Sequence, residues 1–242
     1  MSNCGQSGRR QIVPQKISYG VRTDIGKVRT TNQDAVFSLL TCCDSFSKHP
    51  AFGIFIVADG MGGALACQII PAYIQKKLLP ALLTGKTPEN IPDLIHEAFQ
   101  QANTSLLAET PDSETTAAAA VVVGSTVYLG SVGDTGAFLV SHERCERLTC
   151  IHDLQQGVPS YPALGTDNLI PDTMVIHLKR HERLLLCSDG LWKLVPEAAI
   201  QHTVTRASTP QVACDALVNL ANTNGGSDNV SVIIVKVDEE AG

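Results

Sequence analysis

The sequence predicts an α+β domain in which largely antiparallel β-sheets carry helices on their outer faces. Blocks of short apolar runs typical of strands alternate with blocks of helical runs, an order unlike the regular strand-helix-strand series of parallel folds. Hydrophobic residues make up 44% of the chain and charged residues 17%, which supports a large core and excludes a disordered chain. No repeat or low-complexity linker divides the 242 residues, so we expect one domain over residues 12–238 after a flexible tail over residues 1–11.

The first half of the chain contains two predicted strands followed by two predicted helices. Residues 36–40 and 52–57 are short, apolar and rich in β-branched and aromatic side chains, and the second run is continuous enough for a strand buried on both faces. Residues 65–83 form a longer apolar run with Pro71 near its start, which we interpret as a helix. Between residues 91 and 106, apolar side chains recur every three or four positions, the stripe of an amphipathic helix.

The second half returns to strand patterns and closes with a helix and a strand. Thr209 as the N-cap and Pro210 at the first helical position begin the last predicted helix, which ends before Gly225 and Gly226. The strands predicted in this half cover residues 117–123, 126–132, 136–140, 174–178, 183–187 and 230–237.

Charge and cysteine usage limit the classes of partner and compartment. The formal net charge is −6 and no basic run is longer than a pair, which argues against nucleic acid as a partner. The N-terminus lacks the apolar core of a signal peptide, and the uncharged residues 115–133 are interrupted by Gly124, so we expect a cytoplasmic protein without a membrane span. The eight cysteines form no CxxC pair, which favours reduced thiols over zinc or disulfides.

Aspartates at the ends of predicted strands carry the functional signal. Asp59 and Asp189 each follow an apolar run and precede Gly, Asp134 lies between two runs, and Asp34 and Asp228 stand just before runs. Each one alone could be an ordinary turn residue. As a set at the ends of central strands, however, they would repel one another unless a cation neutralised them. Carboxylate oxygens without histidine or thiolate ligands favour Mg²⁺ or Mn²⁺.

Seven segments that span most of the chain resemble the bacterial form of the metal-dependent type 2C protein serine/threonine phosphatases. They occur in the order of that family and at roughly its spacing, and a set of seven is far more specific than any one of them. The segments are residues 24–34, 57–63, 115–118, 133–135, 163–166, 185–191 and 227–231.

The resemblance implies a four-layer α-β-β-α sandwich, two stacked antiparallel sheets flanked by helices, with a two-metal centre at one end. It implies that Asp59 bridges two Mn²⁺ or Mg²⁺ ions and that Asp189 and Asp228 hold the first ion. The carbonyl group of Gly60 would contact the second ion, and Asp34 would act on the metals directly or through bound water.

Two further residues receive roles from the same resemblance. Asp134 would hold a third, weaker ion together with Asp189, and Arg29 would bind the substrate phosphate. A guanidinium can grip two phosphate oxygens at once, which suits Arg29 to this role.

The activity implied by the resemblance is the hydrolysis of phosphoserine and phosphothreonine in proteins by a metal-activated water. We expect the enzyme to be a monomer that opposes a Ser/Thr kinase by acting on the kinase or its targets. The alternative is a catalytically weak scaffold of the same fold that binds a phosphoprotein or regulatory partner. A shortened flap motivates this scaffold alternative. Only residues 154–162 are left to form the flap before the segment that begins at Ala163. Further departures from the family pattern are Ile151, where an aspartate is usual, and Gly136, where an arginine is common.

Overall fold

The computed structural model describes residues 15–41, 51–61, 64–84, 90–110, 113–150, 163–166 and 169–239. The predicted tail over residues 1–11 and the shortened flap over residues 154–162 lie outside these ranges. The strands are β1 (Gln15–Asp24), β2 (Asp34–Leu40), β3 (Phe52–Met61), β4 (Glu114–Val123), β5 (Thr126–Val132), β6 (Gly136–Val140), β7 (Cys145–Arg147), β8 (Asp172–His177), β9 (Arg183–Cys187) and β10 (Val230–Glu239). The helices are α1 (Ala64–Leu83), α2 (Ile91–Glu109), α3 (Asp189–Trp192), α4 (Glu197–Arg206) and α5 (Pro210–Thr223).

The strands form two five-stranded sheets, and every strand pair within them is antiparallel. The first sheet has the order β2-β3-β4-β5-β8, and the second has the order β1-β10-β9-β6-β7. The two termini of the described chain therefore meet, because β1 pairs with β10 along its whole length.

Alternating side chains of the central strands divide the interior into three apolar layers. In β3, Phe55 and Val57 face the other sheet, whereas Ile54 and Ile56 pack against α1 and α2. In β10, Ile233 belongs to the layer between the sheets, and its neighbours along the strand pack under α4 and α5. These strands are buried on both faces because helices cover the outer side of each sheet. The result is the α-β-β-α sandwich that the resemblance implied.

Most predicted elements are present, with ends displaced by a few residues. The strand predicted at residues 52–57 extends to Met61, and Pro71 lies inside α1 together with Pro80, well beyond its first turn. Thr209 caps α5 as predicted, since its side-chain oxygen accepts a hydrogen bond from the backbone N–H of Val212 at 3.2 Å. Helix α5 ends at Thr223, just before Gly225 and Gly226, which both have positive φ.

Four elements were not predicted from the sequence: β1, β7, α3 and α4. Strand β1 is at the edge of its sheet and mixes polar and apolar residues, so it lacks a clear apolar run. Helix α4 has only ten residues and buries Ile200 and Val204, which make a single repeat of the helical period. Within the described residues, no helix is both long enough and apolar enough to span a bilayer.

Candidate metal centre

Two of the predicted site residues face each other on neighbouring strands of the first sheet. Asp34 is the first residue of β2, and in the antiparallel register its Cα pairs with that of Asp59 near the end of β3. Asp59 pairs on its other side with Thr116 of β4. Directly opposed carboxylates on paired strands repel each other, so this register is destabilising unless a cation lies nearby.

The second sheet contributes Asp189 and Asp228 from two adjacent strand ends. Asp189 begins α3 directly after β9 and Ser188, and Asp228 comes just before β10. The backbone N–H of Ser188 donates to the carbonyl oxygen of Ser231 at 3.1 Å, which keeps these ends together. Gly190 permits the close approach, because a Cβ added there would lie 2.0 Å from the carbonyl oxygen of Asn229.

The hydroxyl of Ser188 links the Asp34 carboxylate to the second sheet. Ser188 Oγ donates to Asp34 Oδ2 at 2.8 Å and accepts the backbone N–H of Ser231 at 3.0 Å. Asp34 is further positioned by Asn32, whose Oδ1 accepts the backbone N–H of Asp34 at 3.1 Å. The carboxylates of β2 and β3 therefore share one end of the sandwich with those of the second sheet.

Burial and mutual repulsion disfavour the charged form of the two central carboxyl groups. The pKa of Asp34 is raised from 3.8 to about 6, mainly by burial and also by the charges of Asp189 and Asp228, which together outweigh the hydrogen bonds from Ser231 and Ser188. Burial also raises the pKa of Asp59 well above its ordinary value, with repulsion from Asp34, Asp189 and Asp134. Within the described part of the chain, no ion pair neutralises either Asp34 or Asp59.

Arg29 lies at the solvent-exposed edge of the cluster. Its Nη2 donates to Asp228 Oδ2 at 2.8 Å, its side chain is 52% exposed, and the hydrogen bond to Asp228 raises the pKa of the guanidinium. The loop that carries Arg29 is held by Asn229, whose Nδ2 donates to the carbonyl oxygens of Ile25 and Thr31 and whose Oδ1 accepts the backbone N–H of Gln33. The guanidinium is thus anchored beside the carboxylates yet open to an incoming anion.

Asp134 lies on the opposite flank, in the turn between β5 and β6. Thr116 Oγ1 donates to Asp134 Oδ1 at 3.3 Å, and the ammonium of Lys193 lies 3.4 Å from Asp134 Oδ2 and 2.5 Å from Asp189 Oδ2. Burial alone would lower the pKa of Lys193, but the hydrogen bond and charge of Asp189, with those of Asp134, raise it overall.

The set of oxygen donors suits a hard divalent cation. The structure gathers the predicted Asp34, Asp59, Asp189 and Asp228, with Asp134 at the flank, and Gly60 lies next to Asp59 within β3. Among the described residues, no three acidic, histidine or cysteine side chains already converge on one metal position. Asp228 and Asp189 instead pair with Arg29 and Lys193, as expected for crowded carboxylates that take the nearest available cations. Donor chemistry and unbalanced charge both fit Mg²⁺ or Mn²⁺.

Sequence reasoning missed the residues that position the aspartates. Ser188 and Asn229 stand directly beside Asp189 and Asp228 within the recognised segments, so adjacency in the sequence was a usable signal for both. The signal for Lys193 was weaker: it follows Asp189 by four residues, the spacing at which side chains on one face of a helix can pair. Nothing in the sequence indicated that Asp134 would be its second partner.

Comparison with known proteins gives the same family from several directions. A family model described as protein phosphatase 2C matches residues 27–221. A serine/threonine phosphatase, stp, of Listeria innocua is 30% identical over 249 residues, which cover 89% of this chain and 94% of the relative.

Solved structures agree in fold. The Ser-Thr phosphatase MsPP of Mycobacterium smegmatis, in complex with cacodylate, has a TM-score of 0.72 and 28% identity, covering 90% of this chain and 97% of its own. The catalytic domain of the phosphatase PstP, in complex with two manganese ions, has a TM-score of 0.76 and 24% identity, covering 92% of this chain and 99% of its own.

The raised pKa of Asp34 predicts a pH-dependent loss of stability in the metal-free protein. Because the folded state holds this proton more tightly than the unfolded state, its stabilising effect is complete below about pH 4 and is lost as the pH rises past about 6. Asp34→Asn should therefore gain up to about 3 kcal/mol over wild type across that window in EDTA. Urea unfolding at each pH measures the difference. Asp93→Asn, in the first turn of α2, is the matched control, and a constant difference between Asp34→Asn and wild type would contradict the prediction.

Gly190→Ala tests the close approach of α3 to β10. The added methyl group collides with the carbonyl oxygen of Asn229, so we expect a loss of about 1–3 kcal/mol in the free energy of unfolding, with every carboxylate retained. Gly225→Ala is the comparison for backbone strain without collision: Gly225 has a positive φ that disfavours alanine, but no atom lies within 4 Å of an added Cβ. Wild-type stability of Gly190→Ala would show that the approach is less close than described.

Proposed function

This chain belongs to the protein phosphatase 2C family, and from that premise we propose that its acidic centre removes phosphate from phosphoserine and phosphothreonine in proteins, using Mn²⁺ or Mg²⁺. The observation that supports this most strongly is the convergence of aspartates from both sheets beside one exposed arginine. An anionic substrate could not approach such a cluster unless cations first reversed its charge. The family and the site therefore support the same activity.

We assign the metal ligands to the residues that the sequence indicated. Asp59, with the carbonyl group of Gly60, Asp189, Asp228 and Asp34, would hold two ions at the end of the sandwich. When bound, the divalent cations supply the positive charge that phosphoryl transfer to water needs and make that water a stronger nucleophile. The raised pKa values of Asp34 and Asp59 support the assignment, since a bound cation relieves the repulsion that causes part of each shift.

The chain's own residues provide orientation. Arg29 can present its guanidinium to two phosphate oxygens, while Asp228 and the loop held by Asn229 keep it at the mouth of the site. Ser188 and Asn32 fix the position of Asp34 through hydrogen bonds of 2.8 Å and 3.1 Å. A prearranged site of this kind lowers the entropic cost of reaching the reactive geometry.

The proposal extends to the domain organisation, the oligomeric state, the compartment and the protein substrate. We propose a single catalytic domain over residues 12–238, acting as a monomer in the cytoplasm on a Ser/Thr kinase or on the targets of that kinase. The half-exposed position of Arg29 supports a protein substrate, because a phosphate on a large partner must be reached at the surface. The alternative of a scaffold without activity is less well supported, because the full set of acidic ligands is retained.

Removal of one ligand should abolish turnover. We expect wild type to hydrolyse p-nitrophenyl phosphate with Mn²⁺ and not with EDTA, and Asp189→Asn to lose at least about 100-fold in kcat/KM, because the amide is a much poorer ligand for a hard cation. Asp93→Asn is the matched surface control. An inactive wild type in Mn²⁺, or full activity in Asp189→Asn, would refute the catalytic assignment.

Arg29→Ala should mainly weaken substrate binding. A charge-assisted hydrogen bond to a ligand contributes about 1.5–3 kcal/mol, so KM should rise about tenfold or more with a smaller fall in kcat. Arg29→Lys keeps the charge but not the paired donors, and we expect an intermediate KM. Steady-state kinetics with a phosphopeptide measures both constants, and an unchanged KM in Arg29→Ala would exclude phosphate binding by this residue.

A further inference from the structure

The ammonium group of Lys193 lies between two carboxylates of the centre. Its Nζ is 2.5 Å from Asp189 Oδ2 and 3.4 Å from Asp134 Oδ2. The two carboxyl side chains are only 16% and 14% exposed, whereas the lysine side chain is 50% exposed and reaches them from the solvent side. Asp189 and Asp134 are also the pair that the family resemblance associates with a third, weaker metal ion.

Contacts of Trp192 and Arg147 hold the turn of Asp134 next to Lys193. Trp192 Nε1 donates to the backbone carbonyl oxygen of Asp134 at 3.1 Å, and Arg147 Nη2 donates to the same oxygen at 2.7 Å. Arg147 also stacks on the indole of Trp192, with its Cζ 4.4 Å from the ring centroid, and Lys193 Nζ lies 5.3 Å from that ring. The turn that carries Asp134 is therefore tied to the segment that carries Lys193.

The backbone brings Lys193 to the same place. Asp189 and Lys193 are separated by one helical turn, and the backbone N–H of Lys193 donates to the carbonyl oxygen of Asp189 at 3.0 Å. At this spacing the acidic residue comes before the basic one, the favourable order for a pair on a helix. From this position the side chain of Lys193 is long enough for its Nζ to reach Asp134 as well.

We propose that Lys193 is the built-in cation of Asp134 and Asp189, and that it excludes a further divalent ion from this flank of the centre. The inference rests on the proposed function, since it takes the main metal positions at Asp59 and its neighbours as given. A divalent ion between Asp134 and Asp189 would have to displace an ammonium already within hydrogen-bonding distance of both. The chain thereby neutralises Asp134 with a charge that does not depend on the concentration of free metal.

Counting bound Mn²⁺ tests this without relying on activity. Equilibrium dialysis of the full chain against Mn²⁺, followed by metal analysis, gives the number of ions per chain for wild type and for Lys193→Met, which keeps the length of the side chain but not its charge. We expect Lys193→Met to bind one more ion per chain than wild type. Lys193→Met combined with Asp134→Asn should return to the wild-type number.

Two further variants complete the test. Lys193→Arg retains a cation at this position and should bind as many ions as wild type. Asp134→Asn alone should also match wild type, because its carboxylate holds no ion while Lys193 is present. This comparison does not depend on the stability of Lys193→Met.

Each other result overturns the proposal. An equal number of ions in Lys193→Met and wild type, or the loss of one ion in Asp134→Asn, would show that Lys193 does not exclude a metal. A wild-type chain that binds no Mn²⁺ would instead remove the proposed function on which the inference rests, so the two failures are distinguishable.

Discussion

The repulsion among partly buried carboxylates at one end of the sandwich is the constraint on which the site depends. Asp34 and Asp59 are opposed on paired strands, and Asp189, Asp228 and Asp134 approach them from other elements. Burial and proximity raise the pKa of Asp34 and of Asp59, so the charged forms of these two carboxyl groups are disfavoured unless cations balance them. Among the residues that the structure describes, one guanidinium pairs with Asp228 and one ammonium pairs with Asp189 and Asp134, and divalent cations from solution would balance the remaining charge.

The architecture accounts for this crowding. Two stacked antiparallel sheets bring strand ends from distant parts of the chain to one edge, and apolar layers on both faces of each sheet hold those ends in place. Ser188 joins the two halves of the centre through residues 154 positions apart in the sequence. Gly190 and Asn229 then allow α3 and the start of β10 to approach within backbone contact. This close packing holds Asp189 and Asp228 near each other.

Much of this could be predicted from the sequence, and the exceptions have physical reasons. Apolar runs and the helical stripe predicted the central strands and α2, because buried faces impose a period on the sequence. The elements β1, β7 and α4 are short or lie at a sheet edge, and they bury too few apolar side chains to produce a clear period in the sequence. The aspartates were found through their recurring local segments, but the pairing of Lys193 with Asp134, 59 residues away, arises only from the tertiary fold.

Anomalous diffraction from crystals of the wild-type chain grown with Mn²⁺ would locate each bound ion relative to each carboxylate. We expect manganese peaks in contact with the carboxylates of Asp59, Asp189 and Asp228, and no peak between Asp134 and Asp189. Absence of manganese at Asp59 under saturating Mn²⁺ would contradict the claim that the crowded carboxylates are there to hold divalent ions.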